Sequence, residues 1–163
     1  MPPLPQRKFL PHEIPSWIPD GAGFFLTICT VPRGKDQLCH QQVADIIFEA
    51  VQYRQNACRW YVHLLLLMPD HLHAVVSFPR EEHMVAVVAN FKEITCKRAN
   101  VRWQRDFFDH RLRTTESFWE KVSYIRNNPV RKGFVANPHN WRWVWPKSEA
   151  IRGGPSGPAL PGI

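Results

Sequence analysis

The hydrophobic positions along the chain follow two different periods, one typical of strands and one typical of helices. Three apolar segments rich in β-branched and aromatic side chains predict strands: residues 23–31, 60–68 and 71–78. Three segments with apolar positions three or four apart predict amphipathic helices: residues 41–57, 84–100 and 115–127. Pro69-Asp70 predicts a tight turn between the last two strands, Phe107-Phe108 predicts a short fourth strand, and Pro129 is expected to stop the third helix.

The predicted elements follow one another in the order β-α-β-β-α-β-α. This order indicates an α+β protein with a ferredoxin-like antiparallel sheet and helices packed on one face. Six of the 15 prolines fall in residues 1–20 and four in residues 146–163. We therefore expect a Pro-rich segment over 1–20, one folded domain over 21–147 and a disordered Gly/Pro tail over 148–163.

The charge of the chain is strongly uneven. Lys and Arg outnumber Asp and Glu by 21 to 14, which gives +7; residues 1–91 contribute −1 and residues 92–163 contribute +8. A one-sided basic surplus predicts a polyanionic partner, most simply nucleic acid, although a solvated basic surface gives the same composition. No apolar run approaches the roughly 18 residues of a membrane span, and no apolar signal segment opens the chain, so we expect a cytoplasmic protein.

Two histidines, His71 and His73, flank a leucine on the predicted strand 71–78. Successive strand side chains point to opposite faces, so both imidazoles are expected on one face. Such a pair can chelate a divalent metal and leave positions open for substrate oxygens. The same pattern also occurs in structural or exposed histidines, and both interpretations stay open.

Tyr124 lies outside the apolar stripe of its predicted helix, which Phe118, Val122 and Ile125 form at about 100° per residue. Asn128 follows one turn later. An ordinary surface tyrosine would explain this position, and so would a nucleophile. A phenol, with a pKa of about 10, attacks poorly near neutral pH, but a metal ion on the phosphate would make phosphorus more electrophilic. The histidine pair and the tyrosine together predict phosphodiester cleavage through a covalent phosphotyrosine.

Basic side chains recur on the second predicted helix and just after it, where they predict a phosphate track or form a solvated face: Lys92, Lys97, Arg98, Arg102 and Arg105. Arg126 and Arg131 extend this surface around Tyr124. Asp109 and His110 are expected to orient a metal-binding histidine, to contact DNA, or to form a strand-end turn. His63 lies in an apolar strand and is predicted to be a core histidine.

Four motifs, in order over about residues 17–145, resemble the REP-associated tyrosine transposases, a group of the HUH single-strand transposases. They are Gly23-Phe24-Phe25-Leu26-Thr27, Met68-Pro69-Asp70-His71-Leu72-His73-Ala74-Val75-Val76, Trp103-Gln104 with Phe108-Asp109-His110-Arg111-Leu112-Arg113, and Tyr124-Ile125-Arg126-Asn127-Asn128-Pro129-Val130-Arg131-Lys132-Gly133. The resemblance implies a ferredoxin-like core with the catalytic tyrosine on a C-terminal helix.

The resemblance also implies roles for individual residues. His71 and His73 match the family's histidine pair, which binds Mg²⁺ or Mn²⁺, and Asn128 matches a Gln or Asn position that completes the metal shell. Tyr124 matches the nucleophile that cuts single-stranded DNA, leaving a 5′-phosphotyrosine and a free 3′-hydroxyl. No small-molecule cofactor is implied.

We therefore expect a metal-dependent endonuclease and transesterase that cleaves and rejoins single-stranded DNA at hairpin, REP-like repeats in the nucleoid. Self-association is left open. The alternatives are a non-catalytic regulator that binds hairpin or single-stranded nucleic acid, and a metal phosphodiesterase that uses water. The regulator would form no covalent adduct, and the phosphodiesterase would not need Tyr124.

Overall fold

The fold is an α+β domain built on one five-stranded antiparallel sheet, seen in a computed structural model that describes residues 22–147. The strands are β1 (Gly23–Cys29), β2 (Tyr61–Met68), β3 (His71–Ser77), β4 (Phe108–Leu112) and β5 (Val144–Trp145), in the spatial order β4-β1-β3-β2-β5. The helices are α1 (Gln41–Asn56), α2 (Met84–Ala99) and α3 (Thr115–Arg131), and a short 3-10 helix covers Pro138–Asn140. The predicted fold class is confirmed, whereas the predictions for residues 1–20 and 148–163 lie outside the described residues.

The two faces of the sheet carry separate hydrophobic cores. One face presents Leu26 of β1 and Leu72 of β3 to a core that includes buried residues of α1 and α2. The other face presents Phe25 to a smaller core that includes Phe118 and Val122 of α3. The expectation of helices on one face therefore describes α1 and α2, while α3 packs against the opposite face.

Helix α3 begins at a capping box and continues past the proline that was expected to stop it. The Ser117 N–H donates to the Thr114 hydroxyl at 3.0 Å, and the Thr114 N–H donates back to the Ser117 hydroxyl at 3.1 Å. Pro129 has no N–H for the carbonyl four residues earlier, but it is buried within the helix, and the next turn closes through a Lys132 N–H bond to the Asn128 carbonyl at 3.0 Å. The prediction that the helix ends before Pro129 is wrong, because one missing hydrogen bond is tolerated where the helix is held by packing.

His63 is the core histidine that the sequence predicts. It is buried at an irregularity in the β2–β3 register, and its Nε2 hydrogen-bonds the Ser77 hydroxyl at 2.9 Å. Its ring meets Phe118 edge to face at 5.0 Å. Burial lowers the pKa of His63 to about 4, so the ring is neutral in the folded protein near neutral pH.

This lowered pKa predicts acid sensitivity of the fold. An unfolded-state histidine, with a pKa of about 6.5, takes up a proton that folded His63 excludes, so stability falls as the pH drops from about 6.5 to about 4. This effect costs about 3 kcal/mol in the free energy of unfolding, and we expect the His63→Gln variant to lack it. Urea unfolding at a series of pH values measures it, with His139→Gln, an exposed histidine, as the control. Identical pH slopes for wild type and His63→Gln would contradict the prediction.

Candidate active site

His71 and His73 lie on the same face of β3, the face that α3 covers in part. Their ring centroids are 4.8 Å apart, at an interplanar angle of 75°. His73 is buried and pairs across the sheet with Thr27, while His71 is partly buried at the start of the strand. The two-residue period of the strand thus places both rings together, as the sequence predicts.

Each of the two rings is held through its Nδ1 atom. His71 Nδ1 lies 2.8 Å from the Asp70 carboxylate, and His73 Nδ1 lies 2.9 Å from the Thr27 hydroxyl. An ionised carboxylate can only accept, so neutral His71 donates from Nδ1 and keeps its lone pair on Nε2. A partner that holds one ring nitrogen while the other binds a metal is the usual arrangement of metal-ligating histidines.

The turn that carries Asp70 is fixed by a neighbouring loop. The Gly34 N–H donates to the Asp70 carboxylate at 2.7 Å, and the Thr30 N–H and hydroxyl both donate to the Asp70 carbonyl at 2.9 Å. The Gln37 N–H donates to the Pro69 carbonyl at 2.8 Å. Burial alone would raise the pKa of Asp70, but its bonds to His71 and Gly34 lower it overall, so this carboxylate stays ionised.

Both imidazoles are neutral near neutral pH. Burial lowers the pKa of His71, and the positive charges of Arg33 and Lys132 act in the same direction, so the pKa is lowered overall although the adjacent Asp70 raises it. Burial lowers the pKa of His73 to about 3, and the positive charges of Lys121 and Arg131 act in the same direction. Neutral rings keep the lone pairs that a metal ion requires.

Helix α3 places Tyr124 beside this pair. The Tyr124 ring centroid lies 6.3 Å from the His73 ring and 6.3 Å from the Phe25 ring. The tyrosine is 45% exposed, so a ligand can reach it from solvent. Of the residues expected at the catalytic centre, Tyr124 therefore lies beside His73, and His73 lies beside His71, all within one chain.

Asn128 is buried one turn after Tyr124. Lys132, one further turn along, lies close enough for its charge to lower the pKa of His71. Asn128 therefore lies on α3 between Tyr124, which is beside His73, and Lys132, which is near His71. Because α3 continues through Pro129, Asn128 lies within the helix and not in a loop after it.

Two cations approach the tyrosine ring. The Arg131 guanidinium carbon lies 4.2 Å from the Tyr124 ring centroid, and its Nη2 donates to the Tyr124 carbonyl at 3.0 Å. Lys121 Nζ lies 4.9 Å from the Tyr124 ring centroid and 4.6 Å from that of Phe25. The phenol therefore lies in positively charged surroundings, which favour a phosphate group.

Three residues of this site were missed from the sequence: Thr27, Asp70 and Lys121. Asp70 precedes His71, and Lys121 lies three residues before Tyr124 on the helix, so adjacency and helical spacing could have identified both. Thr27 could not be found in this way, because its contact with His73 depends on the register between β1 and β3.

The structure separates most of the predicted phosphate track from Tyr124. Helix α2 packs on the opposite face of the sheet. The Lys92 ammonium group donates to three successive backbone carbonyls at 2.8, 2.9 and 3.2 Å, those of Gln104, Arg105 and Asp106. Lys92 is better explained as an anchor for this loop than as a phosphate contact.

The other predicted DNA contacts differ in how available they are. Lys97 forms an ion pair with Glu93 at 2.5 Å, and Arg98 forms one with Glu49 at 2.6 Å. Two further cations, which follow α2 in the chain, are exposed: Arg102 and Arg105. Arg126 is half-buried, and burial lowers the pKa of its guanidinium. Only Arg131 among these residues contacts Tyr124 directly.

Asp109 and His110 face opposite sides of the sheet, because they are successive residues of β4. His110 pairs with Phe25 and shares the α3 face with the histidine pair, whereas Asp109 pairs with Leu26 on the other face. Of the two, only His110 is therefore placed on the side where Tyr124 lies.

The donor set for a metal is small. Within residues 22–147, no group of three or more His, Cys, Asp or Glu side chains could hold a metal ion. A metal here would take its protein ligands from two imidazoles and the Asn128 amide, whose oxygen suits Mg²⁺ or Mn²⁺. The remaining positions would be open to ligand oxygens.

Comparison with known proteins assigns the family. Residues 25–127, which include the histidine pair and Tyr124, match the family model described as "Transposase IS200 like". The chain belongs to the IS200-like transposase family. This membership places it among DNA-processing enzymes and confirms the resemblance found in its motifs. Among the helices of residues 22–147, none has both the length and the apolar character needed to cross a bilayer.

Several relatives of this IS200-like transposase are similar over most of their length. The REP-associated tyrosine transposase of Escherichia coli is 26% identical over 139 residues, covering 82% of this chain and 81% of the relative. A Haemophilus influenzae protein with the same family description is 26% identical over 141 residues, covering 74% and 77%. The solved structure of a REP-associated tyrosine transposase bound to a REP hairpin has the same fold, with a TM-score of 0.67, 21% identity, and coverage of 85% and 81%.

The Asp70–His71 bond predicts the tautomer of His71. At neutral pH we expect nitrogen-15 NMR to show His71 protonated at Nδ1, because Asp70 accepts only from that atom. Asp70→Ala should abolish this preference. Asp36→Ala is the matched control, since Asp36 contacts a different histidine, His40. An unchanged tautomer in Asp70→Ala would contradict the assignment.

Proposed function

We propose that this IS200-like transposase is a metal-dependent single-strand DNA endonuclease and transesterase that cleaves and rejoins DNA at hairpin repeat elements through a 5′-phosphotyrosine. The observation that carries the proposal is the half-exposed Tyr124 ring, 6.3 Å from the His73 ring of the same chain. The relative of the same fold that was solved with a REP hairpin supports hairpin DNA as the partner. The protein would then act on the nucleoid, in the cytoplasm.

In the proposed cleavage step, the Tyr124 hydroxyl oxygen attacks the scissile phosphorus. The new oxygen–phosphorus bond forms as the bond to the 3′-oxygen breaks, and the net proton movement is from the phenol to the departing 3′-oxygen. The products are a 5′-phosphotyrosine and a free 3′-hydroxyl. Attack by a 3′-hydroxyl on the phosphotyrosine reverses these bond changes and rejoins DNA.

His71 Nε2, His73 Nε2 and the Asn128 amide oxygen are the groups that would hold Mg²⁺ or Mn²⁺. Their fit is supported by the two Nδ1 hydrogen bonds and by the neutral state of both rings. Once bound, the ion supplies a Lewis acid that withdraws charge from the phosphate oxygens.

Arg131 and Lys121 have a separate role in this proposal. Their positive charges lie over the Tyr124 ring, whose hydroxyl group the scissile phosphate must approach. They attract the phosphodiester, and they stabilise the phosphotyrosine, which keeps a negative charge beside the ring. Arg131 also restrains the helix around Tyr124 through its bond to the Tyr124 carbonyl.

We expect Tyr124→Phe to abolish cleavage and to leave DNA binding nearly unchanged, because only the attacking oxygen is lost. The chain has three tyrosines, and Tyr53→Phe is the matched control, since Tyr53 is 74% exposed on α1. The assay is incubation with single-stranded hairpin oligonucleotides and Mn²⁺, followed by denaturing electrophoresis for a protein–DNA adduct.

The same assay separates the alternatives. Binding of hairpin DNA without an adduct, even with Mn²⁺ present, would favour a regulator that has lost catalysis. Cleavage that survives in Tyr124→Phe would favour a phosphodiesterase that uses water. An adduct in wild type and Tyr53→Phe, but not in Tyr124→Phe, would support the proposal.

We expect His71→Ala and His73→Ala together to remove both metal-stimulated cleavage and specific Mn²⁺ binding measured by calorimetry. Asp70→Ala should weaken Mn²⁺ binding by roughly 10- to 100-fold, because an orienting partner of one ligand is lost. His40→Ala serves as the control, since His40 is exposed at the start of α1. Unaltered metal-stimulated cleavage in the double variant would refute this metal assignment.

A further inference from the structure

An aromatic pair, Phe134 and Trp141, lies just beyond the end of α3. The two ring centroids are 5.5 Å apart at an interplanar angle of 26°, so the rings are stacked. Phe134 is 50% exposed and belongs to neither hydrophobic core. Trp141 covers one side of the phenylalanine, which leaves much of that ring open to solvent. We call this pair the aromatic platform.

The aromatic platform is attached to the fold on both sides. The Trp141 indole N–H donates to the Leu67 carbonyl of β2 at 2.9 Å. Gly133 adopts φ 77°, a left-handed conformation that glycine favours, and the Phe134 N–H then donates to the Pro129 carbonyl at 2.9 Å. An exposed ring fixed in this way loses little conformational entropy when a flat ligand stacks on it.

The platform and the candidate active site share one face of the sheet. Trp141 packs against the core on the α3 face, and its anchor, Leu67, precedes Met68, the residue paired with His71. Along α3, Tyr124 and Arg131 are seven residues apart, roughly 10 Å. Tyr124, the histidine pair and the Trp141 ring of the platform therefore lie on the same face of the sheet.

The charge between the tyrosine and the platform identifies the kind of ligand. Arg131 and Lys132 immediately precede the Gly133-Phe134 turn, and both are exposed. A single nucleic-acid strand presents phosphates to such cations and offers its unpaired bases for stacking. A protein partner would give the cations no comparable regular negative charge.

We propose that the aromatic platform stacks an unpaired base of the DNA strand whose phosphate reaches Tyr124, a step that rests on the proposed function. Stacking works for any base, so the platform contributes affinity and position and not a base identity. It holds the strand some distance from the reacting phosphate and so limits which phosphate meets the tyrosine.

The test is a double-mutant cycle on DNA binding. The probe is a hairpin oligonucleotide with single-stranded flanks, and a set of copies carries one abasic site at each flanking position. Binding is measured in the Tyr124→Phe background, so that cleavage does not interfere. Phe134→Leu keeps an apolar side chain but removes the flat ring, Phe134→Trp keeps a stacking ring, and Tyr53→Leu is the control on α1.

We expect Phe134→Leu to weaken binding of the intact probe roughly tenfold and Phe134→Trp to restore it. The loss should vanish on the one probe whose abasic site removes the stacked base. Binding by Phe134→Leu within twofold of the parent, or an equal loss on every abasic probe, would overturn the platform. Adduct formation by protein with intact Tyr124 is measured in parallel, so failure of the platform is distinguishable from failure of the proposed function.

Thermal unfolding of each variant checks that the helix end is intact. If Phe134→Leu is destabilised, wild-type protein is photocrosslinked to probes with 5-iodouracil at each flanking position. Crosslinks to Phe134 or Trp141 would support the platform, and crosslinks found only at other residues would overturn it.

Discussion

The alternation of side chains along β3 is the constraint on which the rest of this structure depends. Leu72, Ala74 and Val76 enter the core under α1 and α2, so His71 and His73 must point to the other face. Because β3 is hydrogen-bonded to β1 on one side and to β2 on the other, both neighbouring strands fix its register. A slip by one residue would turn both imidazoles toward the larger core and Leu72 toward the α3 face.

Helix α3 completes the candidate site by placing Tyr124 beside this pair of rings. Its buried residues, Phe118, Val122 and Ile125, attach the helix to the sheet of the same chain, and Tyr124 is carried on the exposed flank. The burial that holds His73 in place also keeps it uncharged beside cations. The packing that fixes His73 therefore also keeps its ring neutral, which is the state that the proposed metal site requires.

Much of this arrangement could be predicted from the sequence, because it rests on local periodicity. The strand period placed His71 and His73 together, and the helical period placed Tyr124 outside the apolar stripe. The features that could not be predicted depend on contacts between distant segments. They are the face on which α3 packs, the hydrogen bond between Thr27 and His73, and the hydrogen bonds that Lys92 donates to backbone carbonyls. The continuation of α3 through Pro129 belongs to the same class, since packing outweighs a local preference there.

The loop of residues 30–37 has an unusual relation to the chemistry. Surface loops generally accept insertions, because lengthening a loop adds little entropy cost. This one is bonded to both carbonyls of the Pro69-Asp70 turn and to the Asp70 carboxylate that orients His71. Its length therefore affects how an imidazole on another strand is oriented, that of His71, so the insertion or deletion of one loop residue would shift this ring without contacting it.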